Sequence, residues 1–377
     1  MALGMSTLLV ALLTAVLGVW VHHLFAIEVP DPYMDEIFHI PQAQSYCRQF
    51  PRVGSVPHDP KITTFPGVYL ASALASVLRR VAMGRSLDFV GGECSVGFLR
   101  GVNAVLACIG ACTAYNLVAR ERARCKLLME KTGEEERNCW SGDDDTRSVI
   151  DMALATAFPL HAFFVWLYYT DTASTVFVLA TWLALLEKRY AFSGVLAGCS
   201  ILMRQTNAVW VICLVGWDAV DATLGERASA PSLGLGGQVV AIIQYMRSNA
   251  APCVYRYGLH AAVVLAFASF VVCNGGVVVG DRANHAPVQH WVQPFYFYAF
   301  LIFSTGPMWF GRVKGHCLSP RGLALWATLV ALALLAIDRG TLLHPFLLAD
   351  NRHYTFYLWR RVIGASDWSR FFAAPVY

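Results

Sequence analysis

The chain alternates long apolar runs with short polar stretches, and the runs have the length of membrane helices. The first, Leu3 to Ile27, is long enough to cross roughly 30 Å of hydrocarbon. It lacks a charged leader and a small-residue cleavage site, so it is expected to stay as a first membrane helix. Further segments of this kind fall at about 97–118, 149–168, 172–188, 257–280, 294–311 and 321–343. The runs 191–203 and 207–220 are each short for a full crossing. They predict a hairpin of two short helices turning at Arg204 to Asn207, where protein or water must satisfy the backbone. Segment 66–84 is apolar but carries Arg79 and Arg80 at one end, which predicts a helix lying on the membrane surface. The expected fold class is an all-α polytopic membrane protein with one transmembrane domain over 1–377. It comprises a first helix at 1–27, a loop at 28–96 bearing the surface helix, and the remaining helices at 97–377. The chain stops at Phe371 to Tyr377 just as another apolar run opens, so further C-terminal helices are expected.

Composition agrees with lipid as the main solvent, since 56% of residues are hydrophobic and only 14% charged. The net charge of +4 is small and scattered, which argues against nucleic acid as a partner. The charge is better read as topology. With the N-terminus inside, the loops on the cytoplasmic side hold seven Lys or Arg at 119–148, two at 188–190, three at 221–256 and three at 311–321. The short loops on the other side hold only Arg204 and Arg282. The acidic runs 134–136 and 143–145 and the Gly-rich 225–237 are expected to be solvated linkers. Most of the 11 cysteines lie within apolar stretches, where Cys behaves as a small hydrophobe, and no CxxC pair suggests a metal or redox site. Cys47 and Cys94 are able to pair if both face an oxidising lumen, a pairing the sequence does not favour.

On this topology the polar stretches collect at one face. They are MDEIFH (Met34 to His39), HDPKITT (His58 to Thr64), YYTDT (Tyr168 to Thr172), RQTN (Arg204 to Asn207), GDRANH (Gly280 to His285) and LADNRHYTFY (Leu348 to Tyr357). Asp35 and Glu36 follow the first helix, with His39 one turn on. Adjacent carboxylates point in different directions, so they do not form a facing acid–base pair. One of the two is expected to act as base while the other orients a substrate or a neighbouring side chain. The competing view is that Asp35 only caps a helix beginning near Glu36.

Arg204, Arg282, Arg352, His285 and His353 are candidates to hold a phosphate, because guanidinium forks match phosphate oxygens in a dry site. Snorkelling, or ion pairing with Asp281, Asp350 or Asp171, explains each of them equally well. Lys61 has the same standing beside Asp59. Tyr168, Tyr169, Trp291, Tyr354 and Tyr357 are able to stack on sugars or to form an interfacial aromatic belt. Thr170, Thr172, Gln205, Asn207 and Asn351 offer hydroxyl-binding groups, with capping and helix contacts as the plainer use.

Five segments carry a resemblance. DPYMDEIFHIPQAQSYC (Asp31 to Cys47), DPKITTFPGVYL (Asp59 to Leu70), LMRQTNAVW (Leu202 to Trp210), NGGVVVGDR (Asn274 to Arg282) and HPFLLADNRHYTFYLWRR (His344 to Arg361) resemble the eukaryotic dolichyl-phosphate-glucose-dependent alpha-1,2-glucosyltransferases. Those enzymes add the last glucose to the lipid-linked oligosaccharide of N-glycosylation. The resemblance implies a GT-C membrane fold in the endoplasmic reticulum with a lumenal active site. It further implies dolichyl phosphate glucose as donor, a dolichyl-diphosphate-linked oligosaccharide as acceptor, and no metal or cofactor. An acidic residue of the first lumenal loop is the general base in related enzymes, a place that Asp35 occupies here, and the surface helix after that loop matches 66–84.

Overall fold

The computed structural model describes residues 5–84, 94–132, 144–226, 235–283, 289–298, 300–302, 319–343, 354–366 and 368–372. Its described elements are helical, and the protein is an all-α polytopic membrane protein. The chain divides into two compact units, Met1–His285 and Ala286–Tyr377.

The first unit is a bundle whose order follows the apolar runs. Helix α1 (Met5–Glu28) packs on α4 (Val96–Thr132), α4 on α7 (Thr170–Leu186), α7 on α8 (Tyr190–Met203), and α8 on α11 (Ala250–Asn274). Ser6–Glu28, Val96–Lys126 and Ala250–Asn274 are long and apolar enough to cross a membrane. Arginines in the C-terminal part of α4 tie three neighbours. Arg120 pairs with Glu187 at 3.1 Å, Arg122 with Asp151, and Arg124 with Asp221.

Between α1 and α4 lie α2 (Glu36–Gln49) and α3 (Gly67–Ala82), packed together. Helix α3 occupies the segment expected to lie on the surface; it buries Tyr69, Ser72, Ala73 and Ser76 while exposing Leu74, Leu78 and Val81. Its first residue sets a close approach, because a Cβ on Gly67 would lie 2.3 Å from the Leu202 carbonyl oxygen at the end of α8. Cys47 and Cys94 form a disulfide, the pairing that the sequence did not favour. The bridge joins α2 to the residues just before α4, and Ile40, Tyr46, Tyr69, Leu99, Tyr168 and Met203 pack into one core with it.

Three expectations are corrected. The run 149–168 is not one helix but α5 (Asp144–Thr156) and α6 (Pro159–Phe164), because Pro159 lacks the N–H that would continue α5 and biases Phe158 to an extended backbone, ψ 125°. The 221–256 loop contains its own helix, α10 (Leu235–Ser248), and α11 begins at Ala250 rather than near 257. The hairpin at 191–220 does form, from α8 and α9 (Asn207–Glu226), turning at Arg204 to Thr206.

In the second unit, α12 (Pro320–Gly340) is also long and apolar enough to span. Ser319 caps it by accepting from the Gly322 N–H at 3.1 Å, and Pro320 occupies the first turn, where no N–H is needed. Val292, Ala333 and Ile337 form its core. A short helix, α13 (Tyr354–Leu358), a π turn over Trp359–Ile363 and α14 (Ser369–Phe372) follow. The expected span 294–311 falls partly outside the described residues.

Replacing Gly67 with Ala forces backbone against backbone and should lower stability by about 1–3 kcal/mol. Thermal unfolding of the purified protein in detergent reads this, with Gly54→Ala, whose added methyl meets nothing within 4 Å, as the unshifted control.

Candidate functional site

The loop from α1 to α2 has no regular structure to satisfy its backbone, and a buried ion pair does this instead. Glu36 is fully buried and Arg100, on α4, is 2% exposed. Arg100 donates from Nε to Glu36 Oε1 at 2.9 Å and from Nη2 to Oε2 at 2.5 Å. It also donates to the carbonyls of Val29 and, at 2.9 Å, Asp31. Glu36 in turn accepts from the backbone N–H of Tyr33 at 2.9 Å and of Tyr168 at 2.6 Å. With four hydrogen bonds received, both carboxylate oxygens are saturated. Of the two roles open to the Asp–Glu pair, Glu36 therefore holds that of orienting its neighbours.

Asp35 is placed differently. It precedes α2, but its side chain makes no cap hydrogen bond, so the helix-capping view is not what the structure contains. Its own backbone N–H donates to the Tyr169 hydroxyl at 2.8 Å. The preceding Met34 is buried with φ +55°, a left-handed conformation rare outside glycine and costly for an unbranched long side chain. The half-buried Asp35 carboxylate makes no hydrogen bond or ion pair among the described residues.

Residues of the MDEIFH, YYTDT and RQTN stretches gather around it, at the end of the bundle where α1 finishes and α4 and α7 start. His39 Nδ1 lies 2.6 Å from the Tyr69 hydroxyl. Burial lowers the His39 pKa more than Asp35 and Asp171 raise it, so the ring is neutral. Burial pushes the Tyr69 and Tyr169 phenols well up, so both keep their protons. The YYT segment is held by Asn103 of α4, whose Nδ2 donates to Leu167 O at 2.6 Å and Tyr169 O at 2.9 Å. Asp171, in the first turn of α7, pairs with Arg204, both side chains being about 40% exposed.

Gln205 and Asn207 are tied into the scaffold. Gln205 donates to Thr63 O at 2.8 Å, and buried Asn207 donates to Ser174 Oγ and Ser200 O, each at 2.8 Å, bracing the turn between α8 and α9. Asp59 accepts from the Lys61 N–H at 2.9 Å in a local turn, and the Lys61 ammonium lies 5.1 Å from the centre of the Phe38 ring. The Gly280 backbone rests against this turn: a Cβ there would lie 2.2 Å from Ile62 O. Next to it, Arg282 is exposed and donates to Asn274, and Asp281 is partly buried. His285, Asp350, Asn351, Arg352 and His353 lie outside the described residues; Tyr354 begins α13, its side chain not described.

Arg100, Asn103 and Tyr69 do the positioning, and none was singled out from the sequence. A signal existed for the first two, since a charged and an amide side chain inside an apolar run are costly unless used.

The comparisons agree with the reading of the stretches. Residues 29–377 match the sequence pattern described as the DIE2/ALG10 family. The chain is 30% identical to the mouse protein named Dol-P-Glc:Glc(2)Man(9)GlcNAc(2)-PP-Dol alpha-1,2-glucosyltransferase, over 94% of this chain and 74% of that one. The Drosophila melanogaster protein of the same name is 34% identical, over 92% and 72%. That of Arabidopsis thaliana is 30% identical, over 99% and 81%. No solved structure matches.

Arg100→Met leaves a buried carboxylate without its countercharge and should cost about 3–5 kcal/mol. Adding Glu36→Gln should recover part of the loss. A double-mutant cycle on thermal or denaturant unfolding measures the coupling, and additive losses would reject the pair as an organising contact.

Proposed function

The chain belongs to the DIE2/ALG10 family, and we propose that it transfers glucose from dolichyl phosphate glucose to the terminal glucose of the diglucosylated, dolichyl-diphosphate-linked oligosaccharide. The product is an alpha-1,2 linkage in the N-glycan precursor, made at the endoplasmic reticulum membrane with the site facing the lumen. The names of the relatives support the substrates. The observation that carries the mechanism is the state of the acidic cluster. Glu36 and Asp171 are each paired with an arginine and Asp59 with its own turn, while the Asp35 carboxylate has no hydrogen bond or ion pair among the described residues.

Asp35 takes the proton from the 2-hydroxyl of the acceptor's terminal glucose as that oxygen attacks the anomeric carbon of the donor. The bond from that carbon to the phosphate oxygen breaks, and dolichyl phosphate leaves with the electron pair. The donor is beta-linked and the product alpha-linked, so a single displacement with inversion accounts for the stereochemistry. One base suffices, because phosphate leaves without being protonated, whereas a glycosidase needs a second carboxyl group to protonate its alcohol. The reaction as proposed uses no metal or cofactor. Positive charge from Arg282 balances the charge growing on phosphate, Arg204 being matched already by Asp171. Neutral His39 and the protonated Tyr169 hydroxyl are hydrogen-bonding groups for sugar, beside a carboxylate that must stay ionised. A site at the end of apolar helices also suits a donor carried by a lipid.

Asp35→Asn keeps the size and removes the basicity, so transfer by the purified protein in liposomes should fall by about 10²-fold or more with the fold intact. Near-normal turnover rejects the assignment. Supplying dolichyl phosphate mannose beside the glucose donor, with the diglucosylated acceptor, tests the sugar: transfer of mannose alone would make the chain a mannosyltransferase, and transfer of neither would leave a non-catalytic or transport role.

A further inference from the structure

Three rings meet beside Asp35, and their polar atoms are unequally used. The His39 ring, on α2, lies 6.0 Å from that of Tyr69 on α3 and 5.8 Å from that of Tyr169 at the entry to α7. Tyr69 packs in turn on Tyr46, 5.6 Å away, and is fully buried. A buried hydroxyl hydrogen needs an acceptor. Among the described residues the Tyr69 hydroxyl has one hydrogen-bond contact, His39 Nδ1 at 2.6 Å, while the nearby Thr64 hydroxyl makes none. Burial keeps the phenol protonated, and 2.6 Å is shorter than an N–H donor usually allows, so the hydroxyl donates and the ring nitrogen accepts. A neutral imidazole whose Nδ1 accepts carries its proton on Nε2. That nitrogen has no hydrogen bond among the described residues, and His39 is partly exposed.

We propose that Tyr69, itself buried away from substrate, is a positioning residue: its hydroxyl fixes His39 with the proton on Nε2, and that N–H holds the acceptor glucose whose hydroxyl Asp35 deprotonates. This inference rests on the glycosyl transfer proposed above. The His39 N–H bonds to the Asp35 carbonyl at 3.1 Å, so the two side chains are one turn apart and a single sugar edge is able to meet both. The charged groups acting on the ring are Asp35 and Glu36 of its own segment, Asp171 of α7 and Arg204 at the end of α8. Glu36, Asp171 and Arg204 are in ion pairs, so Asp35 is the neighbour to which the state of the imidazole matters. With the proton on Nδ1, the ring would turn a lone pair into the cluster and compete with Asp35 for hydroxyl hydrogens. With both nitrogens protonated, it would be a cation that pairs with Asp35 and weakens it as a base. A proton on Nε2 alone grips a sugar oxygen and leaves the base unaltered.

Tyr69→Phe removes the hydroxyl and keeps the ring that packs on Tyr46. Nδ1 is then free to take a proton, so the pKa of His39, which burial holds below its usual value, rises. The neutral ring is the working form, so activity is lost as pH falls through that pKa, and the loss begins at a higher pH in the variant. Transfer by the full chain in liposomes is measured with varied acceptor from about pH 5 to 8. The expected result is an acceptor KM raised about five- to tenfold, the worth of one hydrogen bond, with the acid limb of the pH profile moved up. In a His39→Gln background, whose amide has no tautomers to select, Tyr69→Phe should no longer move the limb and should cost little more. An unmoved limb, or equal losses in both backgrounds, overturns the proposal.

A second measurement needs neither turnover nor a folded Tyr69→Phe. Nitrogen NMR of the purified wild type carrying isotopically labelled histidine, with the His39 signals identified by their loss in His39→Gln, should show at neutral pH a protonated Nε2 and a bare, hydrogen-bonded Nδ1. A proton on Nδ1, or on both nitrogens, also overturns the proposal. If the wild type shows the expected tautomer yet transfers no glucose, the reaction reading fails and the assignment of the Tyr69–His39 pair stands.

Discussion

The described site depends on one buried ion pair. Moving a carboxylate and a guanidinium out of water costs several kcal/mol per ion, and apolar residues of similar volume would often replace such a pair without loss. What they would not replace is its hydrogen bonding. Arg100 and Glu36 together satisfy the carbonyls of Val29 and Asp31 and the N–H groups of Tyr33 and Tyr168. Those four groups belong to two irregular segments that have no strand or helix to serve them, and a buried backbone group without a partner costs about as much as a lost hydrogen bond. The pair thus acts as a small ladder, fixing the loop after α1 against the entry to α7 with α4 as the support.

That anchoring determines what happens one residue earlier. With Glu36 turned inward, the adjacent side chain must turn elsewhere. The left-handed Met34 and the bond from the Asp35 N–H to the Tyr169 hydroxyl complete the constraint. The strain at Met34 is of order 1–3 kcal/mol and persists because the surrounding contacts over-determine it. Two fixed polar groups stand near Asp35: the Tyr169 hydroxyl, which accepts from its backbone N–H, and the His39 ring, which meets the Tyr69 hydroxyl. The disulfide from Cys47 to Cys94 closes the segment that carries α3, so the second wall of the site is tied covalently as well as by packing.

Much of this was legible in the sequence because membrane proteins separate their chemistry from their scaffold by polarity. Apolar runs located α1, α4, α11 and α12, and the polar stretches between them named the residues that meet around Asp35, from His39 to Arg204. The failures have a common cause: an average over a window hides a single decisive residue. Pro159 breaks a run that is apolar throughout. Arg100 and Asn103 vanish into one, because their partners are loop groups more than 60 residues away in sequence. Gln205 and Asn207 carry the same chemistry whether they bind sugar or backbone, and only the neighbours Thr63, Ser174 and Ser200 decide. The cysteine pair was undervalued because spacing alone does not show which loop closes.

The economy of the acidic cluster bears on the class of reaction. Three carboxylates, those of Asp35, Glu36 and Asp171, act electrostatically on the His39 ring and so share one cluster. Yet two of the three are neutralised by arginines, one of them beyond the reach of solvent. A site that had to protonate an alcohol leaving group would need a second carboxyl held in its acid form by an apolar or anionic surrounding, not one matched to a guanidinium, which favours ionisation. Pairing with arginine instead leaves those two carboxylates charge-matched and a single base over. That suits a phosphate leaving group, whose departure needs no proton.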